Sequence, residues 1–217
     1  MAAKVITVTV QLGSGGFAVA RSVADKLGFR YYDWEITSEA AARAGVSPQT
    51  VLDAERVPGF IERMLRSLAT ASAVTGGEIP FIGPTPATMT TAVQTFNSQY
   101  YREFITLVIK ELAAKGDAVI VGHAAQLTLR GTPGVLRVLV HGALGARARR
   151  LAAESQSSVE EALATIKESD HERGESFKQH YRVDWLSAPL YDLALNTDSL
   201  SLDSATEIII AVARSLS

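Results

Sequence analysis

A chain of 217 residues that is 47% hydrophobic and 20% charged, with a net charge of −2, can bury a full core, and it carries no overall basic field to draw nucleic acid or an anionic membrane surface. It contains no cysteine, which excludes disulfides, zinc–thiolate sites and thiol nucleophiles. No stretch reaches the roughly 18 apolar residues of a spanning helix and MAAKVITVTV lacks the apolar run of a signal peptide, so a cytoplasmic protein with neither a nucleic-acid nor a membrane partner is expected.

In chain order, residues 5–10 read as a buried β-branched strand and residues 17–27 as a helix with Val19, Ala20, Val23, Ala24 and Leu27 on its inner face. "GFRYYDWEI" supplies a short strand ending near Asp33, and residues 37–44 and 48–73 read as mostly helical. "TGGEIPFIGPTPATMT" is too rich in glycine and proline for a regular element and reads as a loop. A long helix follows over about 91–115 and stops at Gly116. "DAVIVGHAA" and "VLRVLVHGA" look like central parallel strands, "ALGARARRLAAES" and "SVEEALATIKESDHERGESFKQHY" are charged helices, and residues 191–216 close the chain with a strand, a turn and a helix. Strand and helix alternate without an internal repeat, which predicts a three-layer α/β/α domain around a parallel sheet.

The turn between the first strand and helix, "QLGSGG", holds Gly13, Gly15 and Gly16. Either the backbone there must approach an anion, since a helix N-terminus offers unpaired N–H groups, or the turn simply packs tightly against a neighbour. In parallel sheets ligands bind beyond the C-terminal strand ends, where this turn lies. Two glycine fingerprints compete. The dinucleotide pattern G-x-G-x-x-G would use Gly13, Gly15 and Ala18, with Asp33 as its acidic residue. The P-loop pattern G-x-x-x-x-G-K-[ST] would place Val10 at the first glycine, Gly16 at the lysine and Phe17 at the metal-binding hydroxyl.

Three groups of segments, taken together, resemble the cytidylate kinase-like family of the P-loop nucleoside monophosphate kinases: "QLGSGGFAVARSVADKLGFRYYDWEI", "ELAAKGDAVIVGHAAQLTL" with "LRVLVHGALGARARRL", and "IKESDHERGESFKQHYRVDW" with "YDLALNTDSLSLDSATEIII". The resemblance covers nearly the whole chain. It implies one P-loop kinase-like domain over 1–217, with a helical acceptor-covering insert over about 37–115 and a lid over about 147–185. The implied activity is transfer of the ATP γ-phosphate, with Mg²⁺, to a nucleoside monophosphate or related small acceptor. It implies phosphate binding by Gly13, Ser14, Gly15, Gly16, Phe17 and Arg21, acceptor binding by His123 and Asp33, and catalysis by Arg147, Arg150, Arg173 and Asp33.

Phosphoryl transfer needs cations converging on the transferred group, and Arg147, Arg150 and Arg173 in the lid are the candidates. At helical spacing Arg147 and Arg150 share a face, and the alternative for each arginine is a solvated helix surface with pairs such as Arg150–Glu154. Asp170 is expected to pair with Arg173. Asp33 either orients an acceptor hydroxyl or water-held Mg²⁺, or caps the helix after it.

The chain also departs from the family pattern. Gly16 stands where many members have lysine, Phe17 where relatives often have arginine, and Gly122-His123 where a strand-end Gly-Arg is usual. Those departures leave open a catalytically degenerate nucleotide- or phosphate-binding protein of the same fold, and more distantly a dinucleotide-binding oxidoreductase. The segment over 76–86 is a possible homodimer contact.

Overall fold

The computed structural model describes residues 2–49 and 98–216. The helix expected over 48–73 beyond residue 49, the loop over 75–90 with its dimer contact, and the start of the helix expected from 91 lie outside the described residues.

Five strands, β1 (Val5–Val10), β2 (Arg30–Tyr32), β3 (Ala118–Val121), β4 (Val135–His141) and β5 (Leu193–Asn196), form one sheet in the order β2-β3-β1-β4-β5. Every pairing is parallel. The described α-helices are α1 (Gly16–Leu27), α2 (Trp34–Ala44), α3 (Ser98–Lys115), α4 (Ala125–Thr128), α5 (Leu144–Ser155), α6 (Val159–Tyr181) and α7 (Leu202–Ser215), with a 3-10 turn at Ala188–Leu190.

Side chains alternate across a strand, so β1 serves two cores. Ile6, Val8 and Val10 pack with Val19 and Val23 of α1 and Ile209 of α7 on one face. Val5 packs with Ile36 of α2, Ile109 of α3 and Ile120 of β3 on the other. All six residues of β1 are buried, as a strand covered on both faces requires. This is the expected three-layer α/β/α arrangement. A smaller cluster of Ala148, Ala152, Ala162 and Ile166 joins α5 to α6, and the small alanines let those helices approach closely. Ser158 and Glu161 form a capping box that starts α6.

In its register Val10 lies beside Val140, so β1 ends next to the end of β4. The turn after β1 therefore opens at the carboxyl edge of the sheet, between β3 and β4. Helix α2 begins at Trp34, three residues earlier than the hydrophobic spacing predicts, with Asp33 at the N-cap position and the Glu35 carboxylate accepting from the Asp33 amide at 3.2 Å.

Candidate phosphate-binding site

From the end of β1 to the start of α1, each carbonyl oxygen from Val10 to Gly15 has a donor. Val10 O accepts from Arg173 Nη1 at 2.6 Å, Leu12 O from Arg147 Nη1 at 3.2 Å, and Gly13 O from Arg150 Nη1 at 2.7 Å. Gln11 O accepts from the Ser14 amide at 3.0 Å, Ser14 O from Thr197 Oγ1 at 2.9 Å, and Gly15 O from the Val19 amide at 3.1 Å. Six consecutive carbonyls are thereby satisfied. The amides of Leu12, Gly13, Gly15 and Phe17 have no recorded acceptor among the described residues. Gly13 and Gly15 hold φ of +75° and +74°, a conformation glycine adopts without steric cost. The result is a concave set of N–H groups at the start of α1, the arrangement that binds anions.

Arg147, Arg150 and Arg173 come together around this loop, each donating to one of the carbonyls between Val10 and Gly13. Arg147 is buried, with 3% of its surface exposed. Its guanidinium is paired in bidentate fashion with Asp170 of α6, at 2.6 and 3.2 Å, and its Nε donates to Gly142 O. Asp170 thus pairs with Arg147, not with Arg173 as expected. Arg150 bridges Gly13 O and Thr197 O, leaving Glu154 with only a long-range attraction to it and with a carboxyl that burial pushes up. Arg173 lies with its guanidinium 5.0 Å over the Trp185 ring. Arg21, a turn into α1, stacks 4.1 Å over the ring of Tyr31.

Gly16 and Phe17 occupy the positions of the P-loop lysine and hydroxyl. A Cβ at 16 would meet both Val10 methyls at 2.8 Å and Val140 Cβ at 3.0 Å, so the floor of the loop leaves no room for a side chain there. Phe17 packs against the β1–α1–α7 core. The Ser14 hydroxyl is fully buried and accepts from the Gly16 amide at 3.3 Å. The loop consequently has an amide cradle that fits a phosphate chain but offers Mg²⁺ no hydroxyl ligand. No cluster of three His, Asp or Glu able to hold a metal occurs among the described residues.

Asp33 and His123 meet across the ends of β2 and β3. His123 Nε2 lies 3.1 Å from the Asp33 carbonyl oxygen; that oxygen only accepts, so the ring donates from Nε2. Gly122, His123 and Ala124 are three successive left-handed residues, with φ of 75°, 52° and 51°. Two of them carry side chains, which stores strain of about 1–3 kcal/mol each at this strand end. Asp33 sits at the N-cap of α2 yet makes no side-chain cap hydrogen bond. Its carboxylate instead takes a long contact of 3.4 Å from the Tyr31 hydroxyl. Burial pushes the Asp33 carboxyl above its ordinary range, while His123 and the Tyr31 hydroxyl pull it back. Burial and the Asp33 charge push the Tyr31 phenol strongly up.

Two contributors carry no recognisable motif. Thr197 follows β5 directly, and Gln11 Oε1 accepts from the Gly142 amide at 3.3 Å, tying the loop to the end of β4. Their only trace in the sequence is a buried-type position at the end of a strand, polar where an apolar residue is the norm.

Fold and loop together define a P-loop kinase-like α/β protein. The model of the cytidylate kinase-like family matches residues 5–199, and the chain belongs to that family. It is 28% identical to the cytidylate kinase of Pyrobaculum neutrophilum over 106 residues, 49% of this chain and 57% of that protein. It is 30% identical to the cytidylate kinase of Methanopyrus kandleri over 108 residues, 46% and 56% of the two chains. The chain therefore spans about half the length of the curated relatives it matches. An uncharacterized protein from Eubacterium ventriosum shares the fold with a TM-score of 0.67 at 18% identity, over 97% of this chain and 98% of that one. Among the described residues no helix is long and apolar enough to cross a membrane.

Proposed function

We propose that this protein is a cytidylate kinase-like phosphotransferase of the cytoplasm. Its loop over 11–17 holds the phosphates of ATP, and the Asp33–His123 end of the sheet faces a nucleoside monophosphate or related small acceptor. The observation that carries this reading is that the carbonyls of Val10, Leu12, Gly13 and Ser14 are held by side chains of other segments, while the amides of Leu12, Gly13, Gly15 and Phe17 have no acceptor among the described residues and are available to an anion. Mg²⁺ ordinarily bridges the donor phosphates in this chemistry, but the loop supplies it no direct ligand. In this reading the chain's own groups position the reaction: the cradle fixes the donor, Arg173 and Arg150 add positive charge behind it, and Asp33 accepts a hydrogen bond from the acceptor.

A second reading, a nucleotide-binding protein that does not turn over, is favoured by one observation: Val10 and Val140 exclude a lysine at Gly16. Losing a transition-state cation can cost roughly 10³ to 10⁵ in rate. Titration calorimetry with ATP, paired with a phosphoryl-transfer assay on CMP, separates the two. Binding with turnover supports the kinase, binding without turnover supports the second reading, and the absence of binding contradicts both.

A further inference from the structure

We propose that Thr197, in the turn between β5 and α7, is a positioning residue that aims the Gly15 amide of the loop at the bound phosphate. This rests on the phosphate-binding reading of the loop.

In a trans peptide the carbonyl and the following N–H point in opposite directions. An anchor on the carbonyl of one residue therefore aims the amide of the next. Arg147 on Leu12 O aims the Gly13 amide, and Thr197 on Ser14 O aims the Gly15 amide. Such anchors matter most in this segment, because glycine takes positive and negative φ with similar ease and the flanking peptides can flip. Without Thr197 the Ser14–Gly15 peptide has no donor on its own carbonyl, and the bonds that remain belong to its neighbours: the Ser14 amide to Gln11 O, Gly15 O from the Val19 amide, and the 3.3 Å contact of Ser14 Oγ with the Gly16 amide.

Thr197 is built for this task. It is 3% exposed, and its hydroxyl lies 2.9 Å from Ser14 O and 3.2 Å from His141 O. Its amide donates to His141 O at 3.0 Å, which fixes it to the end of β4. Its carbonyl accepts from Arg150, the same guanidinium that holds Gly13 O. The two neighbouring loop carbonyls are thus referred to one residue of a different segment. A β-branched side chain with few rotamers keeps the hydroxyl in place.

The test compares Thr197→Val, which removes the hydroxyl at nearly constant shape, with Thr197→Ser, which keeps it. Two readouts are used: calorimetric titration with ATP and with inorganic tripolyphosphate, and ¹⁵N relaxation dispersion of the Ser14, Gly15 and Gly16 amides in the unliganded protein. The expected result is about tenfold weaker binding of both ligands in the valine variant, near-wild-type binding in the serine variant, and new exchange broadening of the loop amides in the valine variant alone. Equal affinity of the valine variant and wild type, or equal losses in both variants, would overturn the proposal. If the wild-type protein binds neither ligand, the phosphate reading fails, and the dispersion data alone decide whether Thr197 holds the loop: broadening confined to the valine variant supports it, and unchanged spectra refute it. Should the valine variant not fold, Thr197→Ala against Thr197→Ser gives the same comparison.

Discussion

Arg147 Nη2 lies 2.6 Å from Asp170 Oδ2, joining α5 to α6 beside the glycine loop, whose Leu12 carbonyl the same guanidinium holds. The arginine is buried while the aspartate side chain keeps 26% of its surface exposed. Removing the arginine strands a carboxylate and two carbonyl acceptors at once, since Leu12 O and Gly142 O lose their donors too. Arg147→Gln should cost about 2–3 kcal/mol, below the roughly 3–5 kcal/mol of a fully buried pair because Asp170 remains partly solvated. Urea unfolding measures this. A change under about 0.5 kcal/mol would show that the pair is an ordinary surface contact.

Gly16 faces Val10 and Val140 so closely that any Cβ crowds them. Gly16→Ala should destabilise by about 1–3 kcal/mol through overpacking, and Gly16→Lys by at least as much. In a Val10→Ala background the same change should cost less, because the clashing methyls are gone. Strictly additive unfolding energies in the double-mutant cycle would contradict this account of the missing lysine.

Asp33 has a folded pKa raised by burial above its ordinary 3.8. Its effect on stability is therefore absent at low pH, where both states are protonated, and becomes a cost as pH rises through the folded value. Asp33→Asn should leave stability unchanged near pH 3 and raise it modestly at pH 7, while weakening acceptor binding. Thermal melts across pH check the first part and CMP titration the second. Lower stability of the variant at pH 7 would assign Asp33 a structural role.

Asp192 shows the opposite sign. Its carboxylate accepts from the Arg137 guanidinium and from the Arg137 amide, which holds its pKa below the ordinary carboxylate range. The stabilisation is present above the unfolded pKa and is lost as pH falls through the folded one. Asp192→Asn should cost about 0.5–1 kcal/mol at pH 7, the upper range for a partly exposed pair, and the difference from wild type should shrink below pH 3. A difference independent of pH would refute the assignment.

Much of the fold was legible because periodicity and strand composition are local signals. Val5 to Val10 and the 118–121 and 135–141 runs are apolar enough to require burial on both faces. The glycine turn was legible as left-handed backbone at the start of a helix, since Gly13 and Gly15 both hold positive φ. The side-chain partners were not legible. Helical spacing places Arg147 and Arg150 on one face, but nothing local says that this face points at the back of the loop, 135 and 137 residues earlier in the chain. The pairing of Asp170 with Arg147 instead of Arg173 depends in the same way on how α5 packs against α6, a contact made by alanines that carry no directional signal. Thr197 was hidden because a threonine at a strand end has many uses.

The central claim, that the amides of Leu12, Gly13, Gly15 and Phe17 form a phosphate cradle, is tested most directly by calorimetric titration of ATP into wild-type protein and into Gly15→Val. At φ of +74° a valine is strained, and its Cβ would lie 2.7 Å from a Leu202 methyl, so circular dichroism must first show that the variant is folded. The account predicts saturable 1:1 binding to the wild type and none to the folded variant; silence with the wild type, or equal binding to both, would contradict it.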